Sequence, residues 1–232
     1  GETKRLLAET NERAAELAII NSVQQGLAAE LETQAMYDLV GDKIQEVFDA
    51  QVVDIGVLGS PGGTTLRFPY TIERGKRFPP RTSEIIGFRK QAFDTKRPVL
   101  VNRDATRLAV AAGQPGIGQG EESKSVLFVP LVTGGEVAGV ISLQNLDRED
   151  AFTDADVRLL TTLATSLSVA LENVRLFDET KRLLAESNER AAELAIINSV
   201  QPRLAAELDG QSKVELAGGK NPDASHAPAG PL

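Results

Sequence analysis

A thirty-residue segment near the start of the chain recurs almost unchanged towards its end, and this repeat constrains how everything between can fold. Residues 2–31 and 179–208 are identical at 27 of 30 positions. The three differences are Thr10/Ser187, Gln25/Pro202 and Gly26/Arg203. A period of 177 residues is much longer than a solenoid unit and suits a whole domain with its connector. The repeat therefore predicts a folded domain over 32–177 between two connectors, 1–31 and 178–208.

Both connectors are predicted to be helices. They are rich in Ala, Glu, Leu and Arg, and the repeated segments contain no Gly or Pro from 2 to 25 or from 179 to 201. We expect Pro202 to kink or end the second helix. Residues 209–232 hold Gly, Pro, Ala and Ser and are predicted to form a disordered tail.

The second connector continues an apolar seam that begins inside the domain. Up to Phe177 its members follow one another at spacings of three and four residues, which is the period of a coiled coil. The seam consists of Leu160, Leu163, Leu167, Ala170, Val174, Phe177 and Leu184, and the first connector contributes Leu7, Leu17 and Ile20. Isolated helices gain most of their stability from packing, so the seam needs a partner. Parallel or antiparallel pairing across a two-fold axis would supply one, and we predict a parallel homodimer through these helices.

The domain itself mixes helix and strand signals. An apolar stripe at helical spacing runs from Met36 to Val47, and strands are predicted over 52–58, 64–72 and 99–101. The segment 73–84 contains a glycine and two adjacent prolines and is predicted to be a loop.

The second half of the domain carries clearer start and stop signals. Ser83 is expected to cap a helix that Pro98 ends. Two apolar strands joined at Gly134-Gly135 are typical of a hairpin of buried strands. A long helix follows, with Thr153 as its N-cap and Asp156 three residues later.

The order of these signals resembles the C-terminal half of a GAF domain. The residues that carry the resemblance are Val-Ile-Ser-Leu-Gln-Asn at 140–145, Phe152 with Asp156, and Val-Ala-Leu-Glu-Asn-Val-Arg-Leu-Phe at 169–177. The resemblance extends over residues 32–177. It implies an α+β fold, GAF- or PAS-like, with a central antiparallel sheet of five or six strands, flanking helices on one face and a ligand-type cavity on the other.

A cluster of basic residues lies where GAF domains cover that cavity. Residues 73–107 hold ten Lys and Arg against four Asp and Glu, within a chain whose net charge is -8. This local charge favours an anionic effector, although a solvated basic surface is the commoner reason for such a cluster. By resemblance, the candidate ligand residues are Tyr70, Arg89, Arg103, Asp104, Phe128 and Ser142.

Composition excludes several classes of function. The chain has no cysteine, and its single histidine, His226, lies in the predicted tail. Bilin attachment, haem or cysteine-ligated metals, and the cysteine-dependent GAF-like reductases of methionine sulfoxide are therefore not expected, and no cofactor, metal or catalytic residue is predicted. The acidic balance disfavours nucleic acid, and no run of about 18 apolar residues predicts a membrane span.

Cyclic-nucleotide binding is also disfavoured. GAF domains that bind these ligands tend to carry an Asn-Lys pair, then Phe, three residues and Asp-Glu. Asn145, Phe152 and Asp156 match this pattern, but Leu146 replaces the lysine and Val157 the glutamate.

Together these features predict a non-enzymatic GAF-type sensory or regulatory domain. The resemblance implies a cytoplasmic signalling protein with several such units and an output domain such as a histidine kinase or nucleotide cyclase. A structural spacer that dimerises and relays motion without a ligand is the alternative hypothesis. A cavity filled by side chains would favour the spacer.

Overall fold

A computed structural model describes residues 2–30, 32–60, 62–113 and 121–218. The chain divides into two units, Gly1–Leu176 and Phe177–Leu232. The first contains the sheet and its helices. The second consists, in its described part, of the continuation of the last helix.

Five helices and seven strands make up the described chain. The helices are α1 Glu2–Ala29, α2 Thr33–Val47, α3 Gly87–Thr95, α4 Ala105–Ala111 and α5 Asp154–Gly218. The strands are β1 Val52–Leu58, β2 Thr65–Glu73, β3 Lys76–Arg77, β4 Arg81–Glu84, β5 Val99–Val101, β6 Ser125–Thr133 and β7 Glu136–Asn145. The predicted α+β class is confirmed.

The strands form one antiparallel sheet in the order β3-β2-β1-β7-β6-β5, with β4 also paired to β2. Strands β3 and β4 lie along the same free edge of β2, so the seven strands occupy six positions. Proline has no N–H to donate to a strand ladder, so Pro79-Pro80 interrupts what would otherwise be one edge strand. The loop predicted over 73–84 thus holds two short strands, and this prediction was wrong.

Helices cover both faces of the sheet. On one face, which we call the helix face, α1, α2 and α5 pack on the inward residues of the strands in the main core. On the other face, which we call the second face, α3 and α4 cover a smaller core that includes Phe68, Phe88 and Phe128. The resemblance led us to expect helices on one face only. Alternating side chains of β6 are apolar towards both faces, which requires cover on each.

The start of α5 follows the predicted capping box. The Asp156 backbone N–H donates to Thr153 Oγ1 at 3.2 Å, and the Thr153 backbone N–H donates to Asp156 Oδ2 at 2.7 Å. Each residue therefore satisfies a backbone donor of the other, as this motif requires.

The seam of α5 packs within its own domain. Leu160, Leu163 and Leu167 are fully buried in the main core, and Ala170 is 9% exposed. Val174 and Ile20 are partly buried against the same core. The prediction of an intermolecular contact for these residues is corrected: the sheet and its neighbouring helices supply the partner. The remaining seam residues, Leu7, Leu17, Phe177 and Leu184, are all more than half exposed.

Two predicted helix limits and the start of the predicted tail also differ from the structure. Strand β4 includes Ser83, so α3 begins at Gly87 and Ser83 does not cap it. Helix α5 continues past Pro202 to Gly218, since the residues after the proline again favour helix. The predicted disordered tail is thus helical over 209–218, and 219–232 lies outside the described residues.

Candidate functional site

Strand register places a row of side chains across the second face of the sheet. Asp54 of β1 is paired with Thr71 of β2 and Ser142 of β7, and Ser142 is paired with Phe128 of β6. Directly paired residues of antiparallel strands point to the same side. The row therefore carries a carboxylate and two hydroxyls into an otherwise apolar layer.

Asp54 is the centre of this row. It is 1% exposed. Its Oδ1 accepts hydrogen bonds from Thr71 Oγ1 at 2.7 Å and Arg81 Nη2 at 3.2 Å, and its Oδ2 accepts one from Ser142 Oγ at 3.4 Å. A buried carboxylate is costly unless such partners compensate it, so these residues act as one unit.

A second arginine, Arg89 of α3, adds a positive charge. The only carboxylate of this unit, Asp54, already pairs with Arg81. The Nε of Arg89 is buried and, within the part of the chain that the structure describes, donates to no acceptor. Burial lowers the pKa of Arg89, while the negative charge of Asp54 acts in the opposite direction. We call Asp54, Thr71, Arg81, Arg89 and Ser142 the polar cluster. It holds two guanidinium groups and one carboxylate.

Aromatic rings form the surroundings of the polar cluster. The guanidinium carbons of Arg81 and Arg89 lie 4.3 Å and 5.1 Å from the centre of the Phe68 ring. The Phe88 and Phe128 rings pack with their centres 6.1 Å apart. A side chain at Gly56 would place its Cβ 2.8 Å from the Phe68 ring, so a glycine there lets the ring lie across β1.

Three of the six predicted ligand residues meet on this face. Arg89 and Ser142 belong to the polar cluster, and Phe128 packs beside it. Asp54, Thr71 and Arg81 were not predicted. The sequence could have indicated Asp54, because it is the one charged residue in the apolar strand VVDIGVL.

Tyr70 lies on the opposite, helix face. The pairings Ile55 with Tyr70 and Val57 with Arg67 leave two residues of β2 opposite one residue of β1. Such a bulge reverses the alternation of side chains along the strand. The Tyr70 hydroxyl donates to Asp42 Oδ1 of α2 at 2.8 Å, and burial, with Asp42, raises the pKa of Tyr70. Tyr70 is therefore corrected from a ligand residue to a core residue.

Arg103 and Asp104 lie in a surface network rather than in the polar cluster. Arg103 Nε donates to Asp150 Oδ2 at 2.8 Å, and its side chain is 71% exposed. Asp104 Oδ2 accepts from Arg107 Nη2 at 2.9 Å, and this bond lowers the pKa of Asp104. Arg103 and Asp104 therefore agree with the alternative given for the basic residues of 73–107, a solvated surface rather than a ligand site.

A separate cavity of about 770 Å³ lies at another end of the sheet. Its walls include Tyr37, Arg67, Glu136 and Leu171. None of the six predicted ligand residues lines it.

Among the described residues, no group of three or more His, Asp or Glu side chains is placed to hold a metal ion. Within the same ranges, no helix combines the length and the apolar character needed to cross a membrane.

The fold is one that occurs in sensory and regulatory modules and also in a reductase. The profile of the GAF domain family matches residues 30–172, which is more than half of the chain. The chain belongs to the GAF domain family. Comparison with curated proteins gave no match.

Solved structures with the same fold come from several kinds of protein. The GAF domain of an Acinetobacter phosphoenolpyruvate-protein phosphotransferase has 16% identity and a TM-score of 0.55, over 70% of this chain and 95% of that one. The free methionine-R-sulfoxide reductase of Neisseria meningitidis has 20% identity and a TM-score of 0.57, over 71% and 93%. A methyl-accepting chemotaxis protein fragment has 18% identity and a TM-score of 0.54, over 67% and 98%. At these identities the likeness shows the fold alone.

Proposed function

We propose that this chain is a non-catalytic sensory or regulatory domain of a cytoplasmic signalling protein, and that it binds a small anionic ligand at the polar cluster. The observation that carries the proposal is the buried Arg89 Nε without an acceptor among the described residues. An unsatisfied buried donor costs about 1–3 kcal/mol, and more when the group is charged. An acceptor supplied by a ligand would recover this free energy.

The charge and shape of the cluster favour a carboxylate or phosphate group. Two guanidinium groups face one carboxylate, which leaves one positive charge unmatched among these residues. Guanidinium groups present paired donors that suit the oxygens of carboxylates and phosphates. The neighbouring Phe68 and Phe128 rings would contact an apolar part of the same ligand.

Replacement of Arg89 tests the site directly. We expect carboxylates or phosphate monoesters from a small panel to raise the melting temperature of the wild-type chain. For any such compound, Arg89→Ala should weaken binding about tenfold or more, because a hydrogen bond to a charged group contributes about 1.5–3 kcal/mol. Isothermal titration calorimetry measures the affinity.

Arg103→Ala is the matched control, since it removes an arginine from the same basic segment but from an exposed ion pair. The Arg103→Ala variant should bind the same anion with the affinity of the wild-type chain. Equal affinity in Arg89→Ala, or no stabilisation of the wild-type chain by any anion in the panel, would contradict the proposal.

A ligand-free spacer is the second candidate, and one observation favours it. Phe68, Phe88, Phe128 and Val140 pack together on the second face, where side chains occupy space that a ligand would need. In this case added anions leave the melting temperature unchanged, and only the dimerisation described next remains as a function.

We also infer that the domain forms a homodimer through its flanking helices, by faces other than the buried part of the seam. Helix α1 exposes Leu6, Leu7 and Leu17, and the first part of α5 exposes Leu176. Contiguous exposed apolar patches mark association surfaces, and these leucines are the side chains that would form one. A parallel arrangement would let ligand binding shift helix pairing and so reach an output domain.

Charged substitutions on α1 test the dimer without touching the core. Leu7→Asp with Leu17→Asp should convert a dimer into a monomer, because four carboxylates would be brought into one interface. Light scattering coupled to gel filtration gives the mass. Val110→Asp is the control: Val110 of α4 is 52% exposed, similar to Leu17 at 58%, and its replacement should leave the mass unchanged. A wild-type monomer, or a dimer that persists in the double variant, would refute the inference.

We infer the absence of catalysis from the amino-acid composition of the chain. Methionine-sulfoxide reductases occur among the structures with this fold. By family resemblance that chemistry depends on cysteine, and this chain contains none. A reductase assay with free methionine sulfoxide and a thiol reductant should therefore give no turnover above buffer.

A further inference from the structure

Some residues that are identical in the two copies of the repeat have different surroundings. In the first copy, Val23 and Leu27 are 1% and 4% exposed in the main core, and Ile20 packs partly buried beside them. Ile197, the counterpart of Ile20 in the second copy, is 51% exposed. The second copy thus presents to solvent a side chain that the first copy uses to dock.

The surface that receives the first copy is formed by α2 and α5, and we call it the α1 groove. Gly26 lies against Leu39 of α2, where a Cβ would approach Leu39 Cδ1 to 2.5 Å. Gln24 Nε2 donates to Ser166 Oγ of α5 at 3.5 Å. The last turns of α1 are therefore fixed by shape on one side and by a polar contact on the other.

We infer that residues 179–208 act as a second α1, which docks in the α1 groove of another copy of this domain. The segment repeats the docking residues of α1 at the same helical spacing, with Ile197, Val200 and Leu204 in place of Ile20, Val23 and Leu27. Side chains of the same chemistry and spacing are complementary to the same surface. This docking rests on the proposed signalling function and extends it, because the segment of one domain would contact a second domain of the same kind.

One difference between the copies sets the strength of this docking. Arg203 replaces Gly26, the residue whose Cβ position is crowded by the end of the Leu39 side chain. Leucine ends can rotate, so the segment fits once Leu39 moves. Docking of 179–208 is therefore weaker than docking of α1, so the segment occupies the α1 groove of a copy whose own α1 has left it.

A peptide complementation experiment tests this inference. The receptor is the full chain with Val23→Ala and Leu27→Ala, which loosen α1, and Ile197→Asp, which disables its own second copy. A synthetic peptide of residues 179–208 should raise the melting temperature of this receptor by about 5 °C or more at 100 times its dissociation constant. The same peptide with Ile197→Asp should have no effect, and a peptide of residues 2–31 should act at lower concentration.

Several results of the peptide experiment would overturn the inference. Stabilisation by 2–31 but not by 179–208 overturns the inference, and so does stabilisation by 179–208 that survives Ile197→Asp. If the receptor is unfolded alone, the 179–208 peptide should restore its helical circular dichroism, and failure to restore it counts against the inference. A second receptor with Val23→Asp and Leu27→Asp opens the groove more fully, and lack of any response in both receptors also overturns it. The Arg89 titrations read ligand binding separately, so the two proposals fail independently.

Discussion

A chain with Leu163→Asp and Leu167→Asp should be unfolded rather than merely monomeric. Both leucines are fully buried in the main core between α5 and the sheet. Replacement of a buried leucine by alanine alone costs about 2–5 kcal/mol, and an unpaired carboxylate in the same place costs more. Domains of this size are stable by about 5–15 kcal/mol, so two such changes exceed the available stability. Far-ultraviolet circular dichroism and thermal melting measure the loss.

Val169→Asp is the matched control for this variant. Val169 lies two residues from Leu167 on the same helix but is 56% exposed. Its replacement should change the free energy of unfolding by no more than about 0.5 kcal/mol. A folded, monomeric double leucine variant would show instead that the seam pairs between subunits.

Asp54→Ala should cost the domain about 3–5 kcal/mol, the second large effect that the structure predicts. The change leaves the hydroxyls of Thr71 and Ser142 without their acceptor and removes the negative charge that offsets Arg89. Each buried hydroxyl left without an acceptor costs about 1–3 kcal/mol, and Arg89 also loses the opposite charge beside it. Urea denaturation, followed by circular dichroism, gives the difference.

Two further variants sharpen the Asp54 result. Asp54→Asn keeps the shape and one acceptor oxygen and should lose less stability than Asp54→Ala. Asp94→Ala removes an exposed carboxylate that pairs with Lys90 on α3 and should cost less than about 1 kcal/mol. Equal losses in Asp54→Ala and Asp94→Ala would mean that the polar cluster is not a buried unit.

Much of the fold followed from local patterns in the sequence. The strands at 52–58 and 99–101 and the capping box at Thr153 were predicted where they occur, because apolar runs and caps act over a few residues. The family was recognisable from short motifs in a fixed order, and the profile match over 30–172 agrees with it. The repeat could also be found from the sequence, because it requires only a comparison of two segments of the chain.

The candidate site was only half predictable. Arg89, Phe128 and Ser142 were named, yet Tyr70 was assigned to the same face although a bulge in β2 turns it to the other. One extra residue in a strand reverses every side chain beyond it, and the sequence around Pro69 does not state which partner residue it opposes. Arg81 was placed in a loop, although edge pairing with β2 positions it to reach Asp54.

The sequence by itself determined most of the helices and the central strands, that the domain is a GAF domain and that its connector is repeated. The tertiary structure decided what each apolar stripe touches. Leu160, Leu163 and Leu167 share a pattern with Leu184, but the first three face their own sheet whereas Leu184 is 61% exposed. Periodicity fixes the direction of a side chain around its helix, whereas its partner depends on contacts between residues distant in the chain.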